Sequence, residues 1–310
     1  MNEYLIGAGG WAYFHIPGLN SLTAYARAFN FVEVNSTFYT VPWLDRVTRW
    51  RQTAPSNFRF AVRANRTITH TAKFEPTREA VATLGKMKQI CNVLKADVLH
   101  LQSPPSLKLT RDKLDRFLKS AHSVDFGETE LALETRGNQR SELAHDIAGT
   151  MKDNRVIHCV DISKGETPAY RSETLYTRLF GKGENNVYQP TDDELAEIDR
   201  KALNSGSGKV AMSFHFVRMY KDAARMKMYK QTGEFPKITG FTGADSLKSV
   251  LKEDAKFPST KLELVQSQGW KLFDLSKDER VHARDYLEKL PEGTYENVDE
   301  VVHHLHVNLR

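Results

Sequence analysis

Short runs of aliphatic and β-branched residues alternate, for most of the chain, with longer stretches whose apolar residues recur every three or four positions. The first pattern is that of buried strands and the second that of amphipathic helices. Tyr4 to Gly7 opens the series as a strand, and after Pro17-Gly18 a helix capped by Asn20 carries Leu22, Tyr25, Ala26 and Phe29 on one face. Phe31 to Val34 is the second strand, and Val47, Trp50 and Ala54 line a helix that Pro55 ends. The alternation continues through strands at Phe58–Val62, Val98–Gln102, Leu131–Leu133, Val156–Val160, Leu175–Leu179 and Lys209–Phe214. Helical patterns separate them: Ala80 to Leu94, a Thr110-capped helix with Leu114, Phe117, Leu118 and Ala121, then Leu143 to Met151, Leu195 with Ile198, and Met219 to Lys230. Only the segment between the sixth and seventh strands is poorly patterned. Eight such units in about 230 residues predict a (β/α)8 TIM-like barrel, with a doubly wound open sheet as the rival.

Beyond residue 235 the alternation stops. Residues 1–235 are expected to form the barrel and 236–310 a small, mainly helical appendage. Two helices are predicted near the end, one capped by Ser276-x-x-Glu279 and running to Pro291, the other capped by Asn297-x-x-Glu300.

With 40% hydrophobic and 27% charged residues among 310, the composition is that of a globular protein. No apolar stretch approaches the roughly 18 to 20 residues of a membrane span, and the first residues lack a basic segment before an apolar core. A cytoplasmic location is expected. Cys91 and Cys159, the only cysteines, lie in a helical and a strand pattern without metal-site spacing, and read as core thiols. No complete phosphate-cradling glycine loop follows Gly7–Gly10, so no nucleotide cofactor is indicated.

Candidate chemistry gathers at the strand ends, which a barrel brings to one mouth. Phe31-Val32-Glu33-Val34 places a carboxylate inside an apolar strand, and Asn35, Ser36 and Thr37 follow as donors and acceptors. Glu33, Glu134 and Asp161 could hold a hard divalent cation, Mg²⁺ or Mn²⁺ rather than Zn²⁺, or divide into acid and base with His70 and His215. Arg63, Arg136 and Arg178 suit phosphate oxygens, and Gln102, Asn35, Trp11 and Tyr39 complete a substrate-binding rim. The alternative is that the Glu and Arg side chains neutralise one another and only satisfy buried charge.

The formal net charge of +5 is unevenly distributed. Arg46, Arg49 and Arg66 belong to one basic stretch, while Arg218, Lys221 and Arg225 belong to a second, interleaved with Tyr220 and Tyr229. Such stretches suit a polyphosphate backbone and stacked bases, or form a solvated basic face.

The strand ends resemble a known family. GAGGW at residues 7–11, VEVNSTFYTVP at 32–42, FRFAVRANRTITH at 58–70, HLQSPPS at 100–106 and YTRLFG at 176–181 are similar to the YecE-like family, DUF72. The resemblance implies a TIM barrel over roughly residues 1–235, in agreement with the alternation, and brings no defined activity. A likeness of that family to endonuclease IV-type nucleases has been entertained at the level of fold. The chain departs from the family where Phe180 and His215-Phe216 replace a usual His and an Asn pair, and where Arg63 replaces a usual Lys. The leading expectation is a nucleic-acid-binding barrel that hydrolyses phosphodiesters with a divalent metal. A small-molecule isomerase or lyase acting on a sugar or phosphorylated metabolite is the enzymatic alternative, and a non-catalytic nucleic-acid or protein binding module is the third.

Overall fold

The computed structural model describes residues 3–137 and 143–305. The eight expected strands are present: β1 Glu3–Ala8, β2 Phe31–Val34, β3 Arg59–Arg63, β4 Val98–Gln102, β5 Glu130–Glu134, β6 Ile157–His158, β7 Thr174–Leu179 and β8 Lys209–Phe214. All pair in parallel, in the order β6-β5-β4-β3-β2-β1-β8-β7. A parallel bridge from Val160 to Thr177 joins the two edges, and the Thr177 hydroxyl donates to the Val160 carbonyl at 2.7 Å. That bridge makes a nearly closed barrel rather than an open doubly wound sheet.

Helices α1 Ser21–Ala28, α2 Leu44–Thr53, α3 Arg78–Leu94, α4 Arg111–Val124, α5 His145–Asp153, α6 Asp192–Asn204 and α7 Met219–Thr232 alternate with the strands. Their starts follow local chemistry. Asn20 Oδ1 accepts from the Leu22 and Thr23 amides, Thr77 from Ala80 and Thr110 from Lys113. Between β6 and β7 there is only a short 3₁₀ turn, Ile162–Lys164, where the sequence carries no helical period.

Inside the barrel one side chain from each strand forms an apolar layer: Leu5, Phe31, Ala61, Val98, Ala132, Ile157, Tyr176 and Ala211, all buried. Strand side chains alternate between faces, so the residue two positions further on each strand points the same way. This places Glu33, Arg63, His100, Glu134, Arg178 and Ser213 in the next layer toward the carboxyl ends.

The chain clusters into two compact units, one of Met1–Phe180 with Arg200–His215 and one of Gly181–Asp199 with Phe216–Arg310. The first contains all eight barrel strands. The second contains helices α8 Gly243–Leu251, α9 Lys261–Gln268, α10 Arg284–Leu287 and α11 Val298–Leu305, with short pairs β9 Ser259–Thr260/β12 Thr294–Tyr295 and β10 Leu272–Asp274/β11 Arg280–His282. Leu247, Leu251, Phe273, Leu287, Val301 and Leu305 lie in its own apolar core.

Two expectations for this region are corrected. Ser276 does not cap a helix: the Leu275 and Ser276 amides both donate to Glu279 O, which closes the β10–β11 hairpin turn. The side-chain spacing of a capping box thus serves a turn, because the flanking residues find cross-strand partners. Two helices, α8 and α9, also precede the predicted pair, and α9 has its own capping box, Thr260 with Glu263. Asn297 does cap α11, accepting from the Glu300 amide at 3.0 Å.

Candidate functional site

The polar layer is a single hydrogen-bonded network. Arg178 binds Glu33 through two parallel bonds, Nε to Oε2 at 2.9 Å and Nη2 to Oε1 at 3.0 Å, and its Nη1 reaches Glu134 Oε2 at 2.8 Å. The Tyr176 hydroxyl donates to Glu33. Glu134 Oε2 also meets His100 Nε2 at 3.0 Å and accepts from Gln102 Nε2 at 2.9 Å, while its Oε1 lies 2.5 Å from Arg136 Nε. Gln102 Oε1 accepts from Arg63 Nη2 at 2.6 Å and Asn35 Oδ1 from Arg63 Nη1 at 2.7 Å. Period two along β2, β3, β4, β5 and β7 puts Glu33, Arg63, His100, Glu134 and Arg178 on one level, with Tyr176 one step below and Asn35, Gln102 and Arg136 one step above.

Burial sets the protonation states. Removal from water disfavours charge on Glu33 and Glu134, yet Arg178 beside both, with His215 at Glu33 and His100 at Glu134, holds each well below the usual carboxylate range. Arg178 is correspondingly raised by the two carboxylates against the cost of burial. His100 is lowered to about 4 by burial and by Arg178, so it is neutral at pH 7 and donates from Nε2 to the ionised Glu134. His215 is lowered for the same two reasons.

Charge in this layer does not cancel. Arg63, Arg136 and Arg178 face Glu33 and Glu134, which leaves one positive charge in excess. The excess belongs to Arg63, a buried guanidinium whose partners are two neutral amide oxygens, and among the described residues it has no ion pair. Its Nε has no hydrogen-bond partner among the described residues, whereas that of Arg136 is held by Glu134. Phe38 lies beneath Arg63, with the guanidinium carbon 3.8 Å from the ring centroid, and the Phe38 ring meets the edges of Tyr39 and His70.

The remaining candidates fall around this centre. His215 stacks on Phe180 at 4.6 Å, with Nε2 3.0 Å from Ser213 Oγ and 3.6 Å from Glu33. Ser213 and Glu33 share one ring nitrogen, so the three do not form a nucleophile–base–acid relay, which needs opposite nitrogens. Gly9 makes the ring's position possible, since a Cβ there would lie 2.2 Å from His215 Cε1. Gly137 has φ +70° and would meet the Pro105 carbonyl at 2.3 Å with a side chain, while the Arg136 amide is held by Ser103 Oγ at 2.9 Å. His70 Nδ1 is 2.8 Å from Thr69 Oγ1, and burial with the Arg63 and Arg66 charges lowers its affinity for a proton.

Asp161 takes a different role. Its Oδ2 accepts from the Phe180 amide at 3.0 Å and its Oδ1 from the Ser163 amide at 3.1 Å, so it caps the turn after β6. Trp11 packs edge-on against Trp50 at 5.3 Å, and Arg46 lies over the same Trp50 ring. Arg46, Arg49 and Arg66 are exposed, and none has an ion-pair partner among the described residues. In the second unit, Arg218 and Lys221 pair with Glu253, and Arg225 is buried against Asp192 and Asp222. Arg46, Arg49 and Arg66 are therefore without an acid among the described residues, while Arg218, Lys221 and Arg225 are engaged.

Sequence reading did not single out Tyr176, which stands two residues before Arg178 and so shares its face, a signal that was available. The positions of Phe38 under Arg63 and of Phe180 against His215 depend on contacts between distant segments.

The carboxylates do not fit a hard divalent cation. The Arg178 guanidinium already spans Glu33 and Glu134, and both Asp161 oxygens serve backbone amides. Among the described residues His100, Glu134 and Cys159 are the one group of three candidate ligands, with ligand atoms within 4.8 Å of one another. That nitrogen, oxygen and sulfur set matches zinc better than Mg²⁺ or Mn²⁺. Binding there would require the loss of the Cys159 proton, which burial holds firmly, and of the Arg178 bond to Glu134.

A nearly closed eight-stranded parallel barrel whose carboxyl-end layer is a buried, net-positive Glu–Arg network defines a (β/α)8-barrel protein with a charged mouth. The family described as "Protein of unknown function DUF72" matches residues 5–233, and the chain belongs to it. It is 46% identical over 55 residues to the UPF0759 protein YecE of Escherichia coli (strain K12), which is 18% of this chain and 20% of that one. The match thus spans about a fifth of that relative's length. A DUF72 family protein from Enterococcus faecalis V583 superposes with a TM-score of 0.59 at 18% identity, covering 75% of this chain and 98% of that one. Another, from Thermotoga maritima MSB8, gives 0.59 at 16% identity over 74% of this chain and 99% of that one. At these identities the likeness supports the fold.

Proposed function

We propose that the barrel mouth binds nucleic acid through its phosphates, with one phosphate oxygen pair seated against Arg63 and Arg136. The observation that carries this reading is the uncompensated charge of Arg63. A buried cation without an anion costs several kcal/mol, a penalty that an incoming phosphate offsets. The Nε of Arg63, unpartnered among the described residues, supplies a hydrogen bond for it. The exposed Arg46, Arg49 and Arg66 extend the same positive field along the chain's first basic stretch. Binding of labelled DNA and RNA across a salt series tests the reading: affinity should fall linearly on logarithmic axes, and Arg63→Met should weaken binding and reduce the slope by about one. Salt-independent binding, or none, would refute it.

Hydrolysis of the bound phosphodiester is a second reading, favoured by His70. Its neutral imidazole meets the Phe38 ring on which Arg63 stacks, and it could take a proton from an attacking water while the leaving oxygen is protonated from solvent. Under this reading cleavage persists in EDTA and is lost in His70→Gln without loss of binding.

A further inference from the structure

The loops around the mouth expose aromatic rings that a globular protein ordinarily covers. Tyr13 on the β1–α1 loop is 81% exposed, and Tyr39 and Trp43 on the β2–α2 loop are 65% and 88% exposed. These rings are not isolated from the charged layer. Tyr39 meets Phe38 at 5.0 Å, and Phe38 carries the Arg63 guanidinium, so an aromatic path leads from the buried Arg63 to solvent. Trp11 from the first loop packs on Trp50 of α2, over which Arg46 also lies, and this ties the β1–α1 loop to α2.

We propose that this lip binds single-stranded nucleic acid by stacking bases on Tyr39 and Trp43 while Arg46, Arg49 and Arg66 follow the phosphates. The proposal rests on the nucleic-acid reading above and adds the strand state. In a duplex the base faces are hidden in the stack, and a protruding indole or phenol ring has nothing to cover it. In a single strand each base offers a free face, and a ring held near a guanidinium matches the repeating base and phosphate. Charge complementarity selects this occupant over a protein partner or a second copy. On α2, Arg46 and Arg49 have no ion pair among the described residues, and Arg66 after β3 is a third such arginine, while the one acid of α2 is Asp45.

Fluorescence anisotropy with three labelled probes tests it: an oligothymidylate, an abasic strand of equal length, and a duplex. The oligothymidylate should bind most tightly, and Tyr39→Ala and Trp43→Ala should each weaken it by roughly tenfold while leaving the abasic strand unchanged. Both side chains are exposed, so neither variant threatens folding. Equal affinity for oligothymidylate and abasic strand would overturn the stacking proposal and leave the phosphate reading intact. Loss of all strand binding would remove both. If Trp43→Ala changed the oligomeric mass and not strand affinity, the lip would be an interface between copies and the proposal would fail.

Discussion

Arg178 is the residue on which the others depend. It is 2% exposed and donates three bonds to two carboxylates buried away from water. Arg178→Met should therefore destabilise the protein by about 3–5 kcal/mol, since it strands two buried negative charges; urea denaturation measures this, and a loss under 1 kcal/mol would mean that the carboxylates simply take up protons. The same residues set the acid response. His100 and His158 are both lowered to about 4 by burial, so their folded forms stay neutral while an unfolded imidazole protonates near 6.5. Their contribution is present above about pH 6.5 and is lost as pH falls toward 4. Glu33 and Glu134 lie below 4.5, so their contribution is present above that value and is lost as pH falls through their lower folded values. Unfolding free energy should thus decline in two stages, and His158→Gln should shrink the first; a flat profile between pH 6.5 and 4.5 would contradict this.

At the level of elements, strand ends and the loops after them divide the work. Strands β2, β3, β4, β5 and β7 each lift one polar side chain one step above an apolar layer, which fixes it on a rigid frame. The loops add the aromatic surfaces: Phe38 under Arg63, and Phe180 against His215. The His215 ring after β8 occupies the space that a side chain at Gly9 would take. Gly9→Ala should cost about 1–3 kcal/mol by displacing the His215 ring, and the combination with His215→Ala should recover most of it. Thermal denaturation of the four proteins closes this cycle, and simple additivity would show that the contact is not the cause. The β6–β7 connection behaves as its unpatterned sequence suggests, with Asp161 capping a turn in place of a helix.

Across the whole molecule, basic residues sort by whether an acid lies within reach. Nothing in the spacing of Arg218, Lys221 and Arg225 distinguishes them from Arg46, Arg49 and Arg66, yet the first three are paired with Glu253, Asp192 and Asp222. The free charge of the protein is therefore narrower than its composition implies. Among the described residues no helix is long and apolar enough to cross a membrane. The sequence by itself determined the barrel and brought the candidate charges to the strand ends, because strand and helix alternation is local and depends only on neighbours along the chain. It also exposed Glu33 as a carboxylate inside an apolar strand, with Arg63, Glu134 and Arg178 at strand ends. Only the tertiary structure decided that Arg178 occupies the space between the carboxylates, that Asp161 turns to backbone amides, and that Arg63 is left without an anion. Those outcomes follow from distances between residues up to 145 positions apart, which no local pattern encodes.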